Sequence, residues 1–331
     1  MDRKEYDALT GHDDAVRFLV SAARKDRVSH AWIFQGEKGC GKGKLAFLFA
    51  MALLCEEKDG LPCMACRSCR RAEHGNHPDI ITVKPEKTNT LSVDDIRQQV
   101  TKDASVKPYE SRYKIYIIPE ADRMTVQAQN ALLKTLEEPP AYCIILLLAS
   151  NADAFLPTIT SRSITLNLRP VRDSLVKEYL VSNYGMREDD AALYAAFARG
   201  NIGRAKLLAS DEAFASRTEE SISYLTDSRR LDAAEQLDFV KKMTADKKEI
   251  DFYLELMTMW FRDVLLYKAS GSTEDLIFAD RKEEIIRRAG ESSYEGLGRI
   301  IEELKKVNAR LRANVNTELT LELLTECIRD N

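Results

Sequence analysis

The chain has 331 residues, 44% of them hydrophobic and 31% charged, and its formal net charge is −4. A prior of about 100–200 residues per domain predicts two or three domains for this length. A slightly acidic chain lacks the basic footprint of a protein that coats nucleic acid by itself, so any DNA contact should be local or shared with partners. The charged start MDRKEYDALTGHDD has no signal-peptide core, and no apolar run approaches the roughly 18–20 residues of a membrane span, so a cytoplasmic protein is expected.

The first elements join a helix, a strand and a glycine-rich turn. Helical spacing of apolar residues predicts a helix over 13–24, and a charged loop at 25–27 leads to the apolar strand Ala31–Gln35. The strand continues into GEKGCGKG at 36–43, and an Ala/Leu-rich helix follows to about Cys55. Strand, glycine loop, lysine and helix form the P-loop arrangement, in which backbone N–H groups and the helix N-terminus surround phosphates.

The glycine loop departs from the P-loop pattern at one position. A Ser or Thr should follow Lys42 to hold magnesium, and Gly43 has no side chain for this purpose. Binding of a nucleotide and its hydrolysis are therefore separate questions for this loop. The alternative to a phosphate-binding loop is a glycine-rich turn that binds nothing. The residues expected to contact phosphate, weakly or as a vestige, are Gly36, Gly39, Gly41 and Lys42.

A cluster of cysteines follows this helix. The spacing C-x7-C-x2-C-x2-C, on a short excursion with Gly60 and Pro62, predicts a tetrahedral, structural zinc site, and disulfides are the poorer alternative in a reducing cytoplasm. The predicted ligands are Cys55, Cys63, Cys66 and Cys69. His74 and His77 are close enough in sequence to be rival ligands. Three isolated cysteines at 40, 143 and 327 are expected to be small core residues.

Further strands alternate with helices down to residue 168. The predicted strands are Asp79–Val83, Lys114–Ile118, Ile144–Ala149 and Ile164–Leu168, and the predicted helices are Ser92–Val100, with Ser92 as N-cap, and a helix from Asp122 to Pro139–Pro140. This alternation predicts a doubly wound parallel sheet with helices on both faces. Glu120 and Asp122 follow the strand at 114–118, where ligands of open α/β sheets sit.

Helical patterns dominate after Arg169-Pro170. Three helices are expected first, at 173–183, 189–198 and 201–209, and a polar stretch around 210–217 is the expected boundary. Longer helices are then expected at 251–269, 297–312 and 318–329.

Several of these motifs together closely resemble the clamp-loader branch of the AAA+ ATPases. They are SHAWIF at 29–34, the glycine loop, the four cysteines followed by His77-Pro78-Asp79, NALLKTLEEPP at 130–140, LPTI at 156–159, Ser161-Arg162 and Asn314-Val-Asn316. The resemblance implies an α/β AAA+ core at 1–169 with a zinc module at 55–77, a helical lid at 170–210 and an all-helical oligomerisation (collar) domain at 211–331.

The resemblance also implies roles for single residues. ATPases of the family carry Asp-Glu at the end of the strand before NALLKTLEEPP, and here Pro119 stands in the Asp position while Glu120 keeps the Glu. Asp122 is two residues along and is expected to face elsewhere. The Ser-Arg-Cys motif of the family presents an arginine finger to a neighbouring subunit, so Arg162 is implied as a finger acting in trans. The alternative is that Arg162 is a surface arginine without a function at a neighbouring subunit. Arg204 stands where a second nucleotide-sensing arginine of the family lies, and the alternative is a solvated helix residue.

The expected function is a non-hydrolysing clamp-loader subunit that assembles with motor subunits of the gamma/tau type and a delta subunit. It would support loading of a sliding clamp onto primed DNA through the complex. The alternative is an active motor subunit of the same machine, against which Gly43 and Pro119 count. A metal-stabilised interaction module unrelated to replication is a third possibility, and it would not need Arg162.

Overall fold

The computed structural model describes residues 11–25, 28–86, 90–313 and 315–331. Residues 1–10 of the charged start, most of the predicted loop at 25–27 and Asn314 of the quoted Asn-Val-Asn motif lie outside the described residues.

A parallel sheet organises the first part of the chain. Its five described strands are β1 (Ala31–Gln35), β2 (Ile80–Thr82), β3 (Lys114–Ile118), β4 (Cys143–Ala149) and β5 (Ile164–Asn167). They lie in the order β2-β3-β4-β1-β5, and every described pairing is parallel. Strand β1 lies between β4 and β5, so its Ile33 is opposite Leu147 on one side and Thr165 on the other. The predicted doubly wound parallel sheet is confirmed.

Each face of the sheet packs against its own apolar core, because successive side chains of a strand point to opposite faces. Trp32 and Phe34 enter one core, and Ala31 and Ile33 enter the other. Helices α1 (Asp13–Arg24), α2 (Lys42–Leu54) and α3 (Arg67–Glu73) contribute to the first core. Helices α4 (Val93–Ile96), α5 (Val126–Glu137) and α6 (Pro157–Thr160) contribute to the second.

Helix α4 begins where the sequence indicates and continues further in a looser form. Ser92 caps it as predicted, and Asp95 closes a capping box with the Ser92 backbone. A π-helical segment at 97–102 and a 3₁₀ turn at 103–105 extend the helical run beyond the predicted end at Val100.

The helix after β3 starts later than predicted. Glu120 adopts a left-handed backbone conformation with φ +46°, and a 3₁₀ turn covers 121–123. Thr125 then caps α5 by accepting the Ala128 N–H. The prediction of a helix from Asp122 is wrong by four positions, because the chain first turns away from the end of β3.

The remaining described elements are helical. They are α7 (Asp173–Tyr184), α8 (Glu188–Ala198), α9 (Ile202–Ala209), α10 (Glu212–Asp227), α11 (Ala233–Thr244), α12 (Lys247–Ser270), α13 (Lys282–Glu291), α14 (Tyr294–Arg312) and α15 (Thr317–Asp330). Leu256, Trp260 and Val264 of α12 are buried as predicted, whereas Phe252 is half-buried and stacks on Phe197. Asp263 is buried beside them and accepts the Phe278 N–H at 2.9 Å.

The chain divides into two compact units. One runs to Val176 and includes Arg199–Arg204, and the other consists of Lys177–Ala198 and Ala205–Asn331. Helix α10 begins inside the polar stretch at 210–217. The three-part division at 169 and 210 stays a prediction. Across the described ranges, none of the helices combines the length and apolar character needed to cross a membrane.

Candidate functional site

Lys42, the first residue of α2, turns back over the glycine loop at 36–43. Its ammonium donates hydrogen bonds to the carbonyl oxygens of Gly36 and Glu37, the second at 2.8 Å. An ammonium has three donors, so one remains for a phosphate. The loop lines a cavity of about 300 Å³, at the lower end of the usual range for ligand pockets. The residues around this cavity are Lys38, Gly39, Gly41, Lys42, Gly43, Pro119, Glu120, Leu148 and Ser150.

The start of α9 holds the glycine loop from a distant part of the sequence. Asn201 Nδ2 donates to the Lys38 carbonyl at 2.8 Å, and the Gly203 N–H donates to the Gly39 carbonyl at 3.1 Å. A Cβ at Gly203 would lie 2.5 Å from the Gly39 oxygen, so only glycine allows this approach. Asn201 also accepts the Arg204 N–H at 3.0 Å. Arg204 is therefore adjacent in sequence to the residues that bond to the glycine loop. A contact between its side chain and a phosphate stays a prediction.

The two positions that would arrange magnesium offer no ligand. Gly43 and Pro119 both line the cavity, and neither carries an oxygen on its side chain. A Cβ at Gly43 would have Leu148 as its nearest neighbour, at 4.0 Å, so space is available for a side chain. Position 43 therefore lacks a magnesium ligand because its residue is glycine, and not because neighbouring atoms exclude a side chain.

The two nearby carboxylates are engaged in other contacts. Glu120 pairs with Arg123 at 2.8 Å and with Lys38 at 3.4 Å. Asp122 accepts the N–H groups that follow β4, from Ser150 at 2.8 Å and from the next residue at 3.2 Å. Asp122 therefore fixes the tip of β4. This agrees with the expectation that its side chain faces away from the position of a metal ion. The described residues of this site do not fit a magnesium ion.

Arg162 lies on the surface between α6 and β5. Its Nη2 lies 3.2 Å from Glu137 Oε1, and its Nη1 donates to the Thr158 carbonyl at 3.1 Å. The Arg162 side chain is 38% exposed, which leaves it accessible to another molecule. Ser163, in place of the family's cysteine, donates its hydroxyl proton to the Ile159 carbonyl at 2.9 Å. The replacement therefore supports the turn that carries Arg162.

The four predicted metal ligands come together in the structure. The sulfur atoms of Cys55, Cys63, Cys66 and Cys69 all lie within 4.8 Å of one another. Four sulfurs bound to zinc at about 2.3 Å are roughly 3.8 Å apart at tetrahedral angles. Backbone N–H groups of the three later cysteines donate to the Sγ of the preceding cysteine at 3.2–3.4 Å, and such bonds favour thiolates. The residues fit a structural zinc ion.

The electrostatics of the cysteines suit metal binding. Burial raises the pKa of the Cys55 and Cys69 thiols. At Cys66 burial acts in the same direction, but hydrogen bonds outweigh it and lower the pKa of that thiol. Without a metal the two buried thiols keep their protons, and metal binding must release them.

Neither histidine belongs to the sulfur cluster. His74 is exposed, and its Nδ1 donates to the Arg70 carbonyl at 2.6 Å. His77 is buried, accepts the Asp79 N–H on Nδ1 and contacts the Ser68 hydroxyl through Nε2, both at 3.1 Å. Burial lowers the pKa of His77, and the neutral ring is the form that can accept on Nδ1. The geometry therefore favours the four cysteines over either histidine as the ligand set.

Asp79, next to this histidine, braces the neighbouring loop. Its buried carboxylate accepts the backbone N–H groups of residues 109, 110 and 111 at 2.5, 3.0 and 2.9 Å. Through Ser68, His77 links the same region to α3 of the cysteine module. The His-Pro-Asp motif therefore has a structural role, fixing the module and the loop to the start of β2.

Sequence reasoning missed three residues of these sites. His12 donates from Nε2 to the Cys40 carbonyl of the glycine loop at 2.9 Å, and Asn201 holds the same loop from the other end of the first unit's sequence. Glu137 pairs with Arg162. Asn201 and Glu137 stand within motifs that the sequence displays, Gly-Asn-Ile-Gly-Arg and LEEPP, but only the folded chain shows their partners.

Comparisons with known proteins agree with this geometry. Residues 11–172 match the family model for the DNA polymerase III delta subunit, and residues 214–328 match the model for its C-terminal part. The delta' subunit of DNA polymerase III from Bacillus subtilis is 31% identical over 322 residues, which cover 95% of each chain. The tau/gamma subunit from Haemophilus influenzae is 31% identical over 64% of this chain, which spans 31% of that relative.

Among solved structures, a gamma-subunit-related protein from Thermotoga maritima aligns over 94% of this chain and 98% of its own, with 20% identity and a TM-score of 0.44.

The parallel order β2-β3-β4-β1-β5, with a P-loop-type turn after β1 and helices following the sheet, makes this chain an AAA+ protein. Within that class, the match to delta' extends over both units. The chain belongs to the family of DNA polymerase III delta' subunits, in the clamp-loader branch of AAA+ proteins.

Proposed function

We propose that this chain is a non-hydrolysing clamp-loader subunit that presents Arg162 to ATP bound by a neighbouring subunit. The observation that carries this proposal is the contrast between two sites. In the cavity beside the chain's own glycine loop, Gly43 and Pro119 occupy the positions where a magnesium site would need oxygen ligands. The Arg162 guanidinium is accessible and supported by its own turn. A chain built this way contributes to hydrolysis only in another subunit's site.

The charge of the guanidinium supplies the chemistry of this role. Hydrolysis of ATP spreads negative charge over the oxygens of the γ-phosphate, and a planar donor fork placed against them stabilises that charge. A guanidinium acts here as a planar hydrogen-bond donor and transfers no proton. Its contribution depends on position alone.

The relatives indicate the partners of such a subunit. Proteins named delta' and tau/gamma of DNA polymerase III are each 31% identical to this chain over the aligned residues. We therefore propose assembly with gamma/tau motor subunits and a delta subunit. Contact with the sliding clamp and with primed DNA would come through the complex. Such a role would place the chain in the bacterial cytoplasm.

An active motor subunit is the second candidate. Similarity to tau subunits favours it, including 26% identity over 93% of this chain to tau from Bacillus subtilis, of which the chain spans 58%. The absent magnesium ligands at positions 43 and 119 count against it. Turnover of ATP by the isolated chain separates the two candidates.

The test is loading of a clamp onto primed DNA by complexes reconstituted with Arg162→Ala. We expect normal assembly in gel filtration, slower ATP hydrolysis and impaired loading. Arg162→Lys should not rescue, because a point charge does not reproduce a planar fork. Arg169→Ala, which removes another exposed arginine, is the matched control and should behave like the wild type.

The expected size is limited by the number of ATP sites. An arginine finger can contribute about 10³–10⁵ in rate at its own site, but this chain completes only one site, so total hydrolysis should fall partly. Loading should suffer more if the sites act together. Normal loading by the Arg162→Ala complex would refute the role.

A further inference from the structure

The Arg162 side chain is held by contacts from two helices. Glu137, the last residue of α5, lies 3.2 Å from Nη2 through its Oε1. The Thr158 carbonyl of α6 accepts from Nη1 at 3.1 Å, and the Ser161 hydroxyl lies 3.4 Å from the same nitrogen. An exposed arginine otherwise samples many rotamers. These contacts restrict it to one region of the surface.

The helix end that carries Glu137 is itself fixed. Thr135 and Leu136, immediately before it, are buried against the sheet. Pro139 and Pro140, which follow after Glu138, prevent the helix from continuing. Glu137 therefore presents its carboxylate from a backbone position that the core and the prolines define.

The guanidinium retains donors for a second anion while it contacts these groups. A guanidinium has five N–H donors. Its two side-chain hydrogen bonds, to Thr158 and Ser161, both come from Nη1, and Glu137 forms an ion pair with Nη2 at 3.2 Å. Among the described residues, no hydrogen bond uses the protons on Nε and Nη2, and these protons are enough for a two-point contact with phosphate oxygens. Glu137 and a phosphate can thus be bound at the same time.

We propose that Glu137 is a positioning residue for Arg162, orienting the guanidinium toward a phosphate held by the neighbouring subunit. The inference rests on the proposed function and adds a second residue to it. Glu137 does not touch the nucleotide; it acts through Arg162. Since both side chains are partly solvated, the effect of losing the pair is modest, about two- to fivefold in rate, as for other exposed ion pairs.

The experiment uses the reconstituted complex with Glu137→Gln and Glu137→Ala. We expect kcat of the stimulated ATP hydrolysis to fall about two- to fivefold while KM for ATP stays unchanged, because the neighbouring subunit binds the nucleotide. Raising the salt concentration should reduce the wild-type rate toward that of the variants, because salt screens an exposed pair. Glu138→Gln is the matched control: this adjacent exposed glutamate should tolerate the change.

A double-variant cycle distinguishes positioning from a general structural effect. In the Arg162→Ala background, Glu137→Gln should have no further effect, since the residue through which it acts is gone. Equal thermal melting of the isolated variants confirms that the fold is intact. An unchanged or faster rate for Glu137→Gln, or a loss that persists without Arg162, overturns the inference. If Arg162→Ala alone changes nothing, the proposed function fails, and Glu137 has nothing to position.

Discussion

At the scale of single residues, two positions beside the glycine loop lack the side chains that a P-loop ATPase uses to hold magnesium. Gly43 lacks the hydroxyl and Pro119 the carboxylate that would arrange magnesium, while Lys42 and the loop glycines still line the cavity. Removing the metal ligands removes charge neutralisation of the phosphates, which is the larger part of catalysis. Weak phosphate affinity can persist without it. The site therefore keeps the glycines and the lysine of a P-loop and lacks the two side chains that the motif would use for magnesium.

We predict that the isolated chain turns over essentially no ATP. Gly43→Thr alone should restore little, because position 119 would still lack a carboxylate. Gly43→Thr combined with Pro119→Asp should raise the magnesium-dependent affinity for ATP at least about tenfold, since it supplies both ligands. Isothermal titration with and without magnesium measures this. The nearest atom to a Cβ at position 43 is 4.0 Å away, so the threonine fits.

Gly43→Ala combined with Pro119→Asp is the control for backbone effects, since it adds a methyl group without a hydroxyl. It should bind more weakly than the threonine variant in the presence of magnesium. Steady-state hydrolysis by the wild-type chain at the rate of an intact P-loop ATPase, lost on Lys42→Ala, would contradict the prediction.

At the scale of elements, local patterns predicted most of the fold. Each strand is a short apolar run that ends at polar or turn residues, and such runs are visible in the sequence. The order of the strands was not visible, because β1 lies between β4 and β5 through pairings distant in the chain. The start of α5 was misplaced because helical spacing of apolar residues extends back over the turn that the left-handed Glu120 begins.

The candidate sites were predictable to the same extent. Ligand spacing predicted the four cysteines, because structural zinc sites commonly take their cysteines from short, regular spacings in the sequence. Spacing could not exclude His77, because its exclusion depends on bonds to Ser68 and Asp79. Asn201 and Lys38 are separated by 163 positions, so no local pattern links them. Sequence patterns therefore do not predict which distant side chains bond to the backbone of a loop.

For the cysteine module, we predict one zinc ion per chain. Cys69→Ser should abolish metal retention, because the remaining three sulfurs leave the tetrahedral site open. The loop at 55–77 should then become sensitive to proteases, while the sheet keeps its structure, since metal binding contributes to folding of the module. Elemental analysis of protein purified without chelators gives the metal content.

Cys327→Ser serves as the control, because Cys327 is half-buried and lies outside the sulfur cluster. It should retain the full metal content. Cobalt substitution adds a second measurement, since sulfur coordination gives charge-transfer absorption that Cys69→Ser should lose. Wild-type protein free of metal would be inconsistent with the site.

At the scale of the whole molecule, each of the two units has its own apolar core, and the family match extends over both. The second unit carries an exposed apolar stripe at and before α15. Val315, Leu319 and Leu323 recur every four residues and are 45, 53 and 44% exposed. Leu321, Leu324 and Ile328 of the same helix are buried in the unit's core. Exposed apolar side chains that lie close together are candidates for a contact with another protein.

We predict that Leu319→Glu combined with Leu323→Glu weakens assembly with the gamma/tau and delta subunits. Burying a leucine at an interface contributes about 1.5–3 kcal/mol, so losing even one such contact should weaken assembly about tenfold or more. Because both side chains already face solvent, melting of the isolated variant should match the wild type. Leu237→Glu, at an exposed leucine of α11, is the control and should assemble normally. Gel filtration of mixtures over a range of concentrations measures the shift. Unchanged assembly of the double variant would show that the stripe is not the surface through which this chain joins its complex.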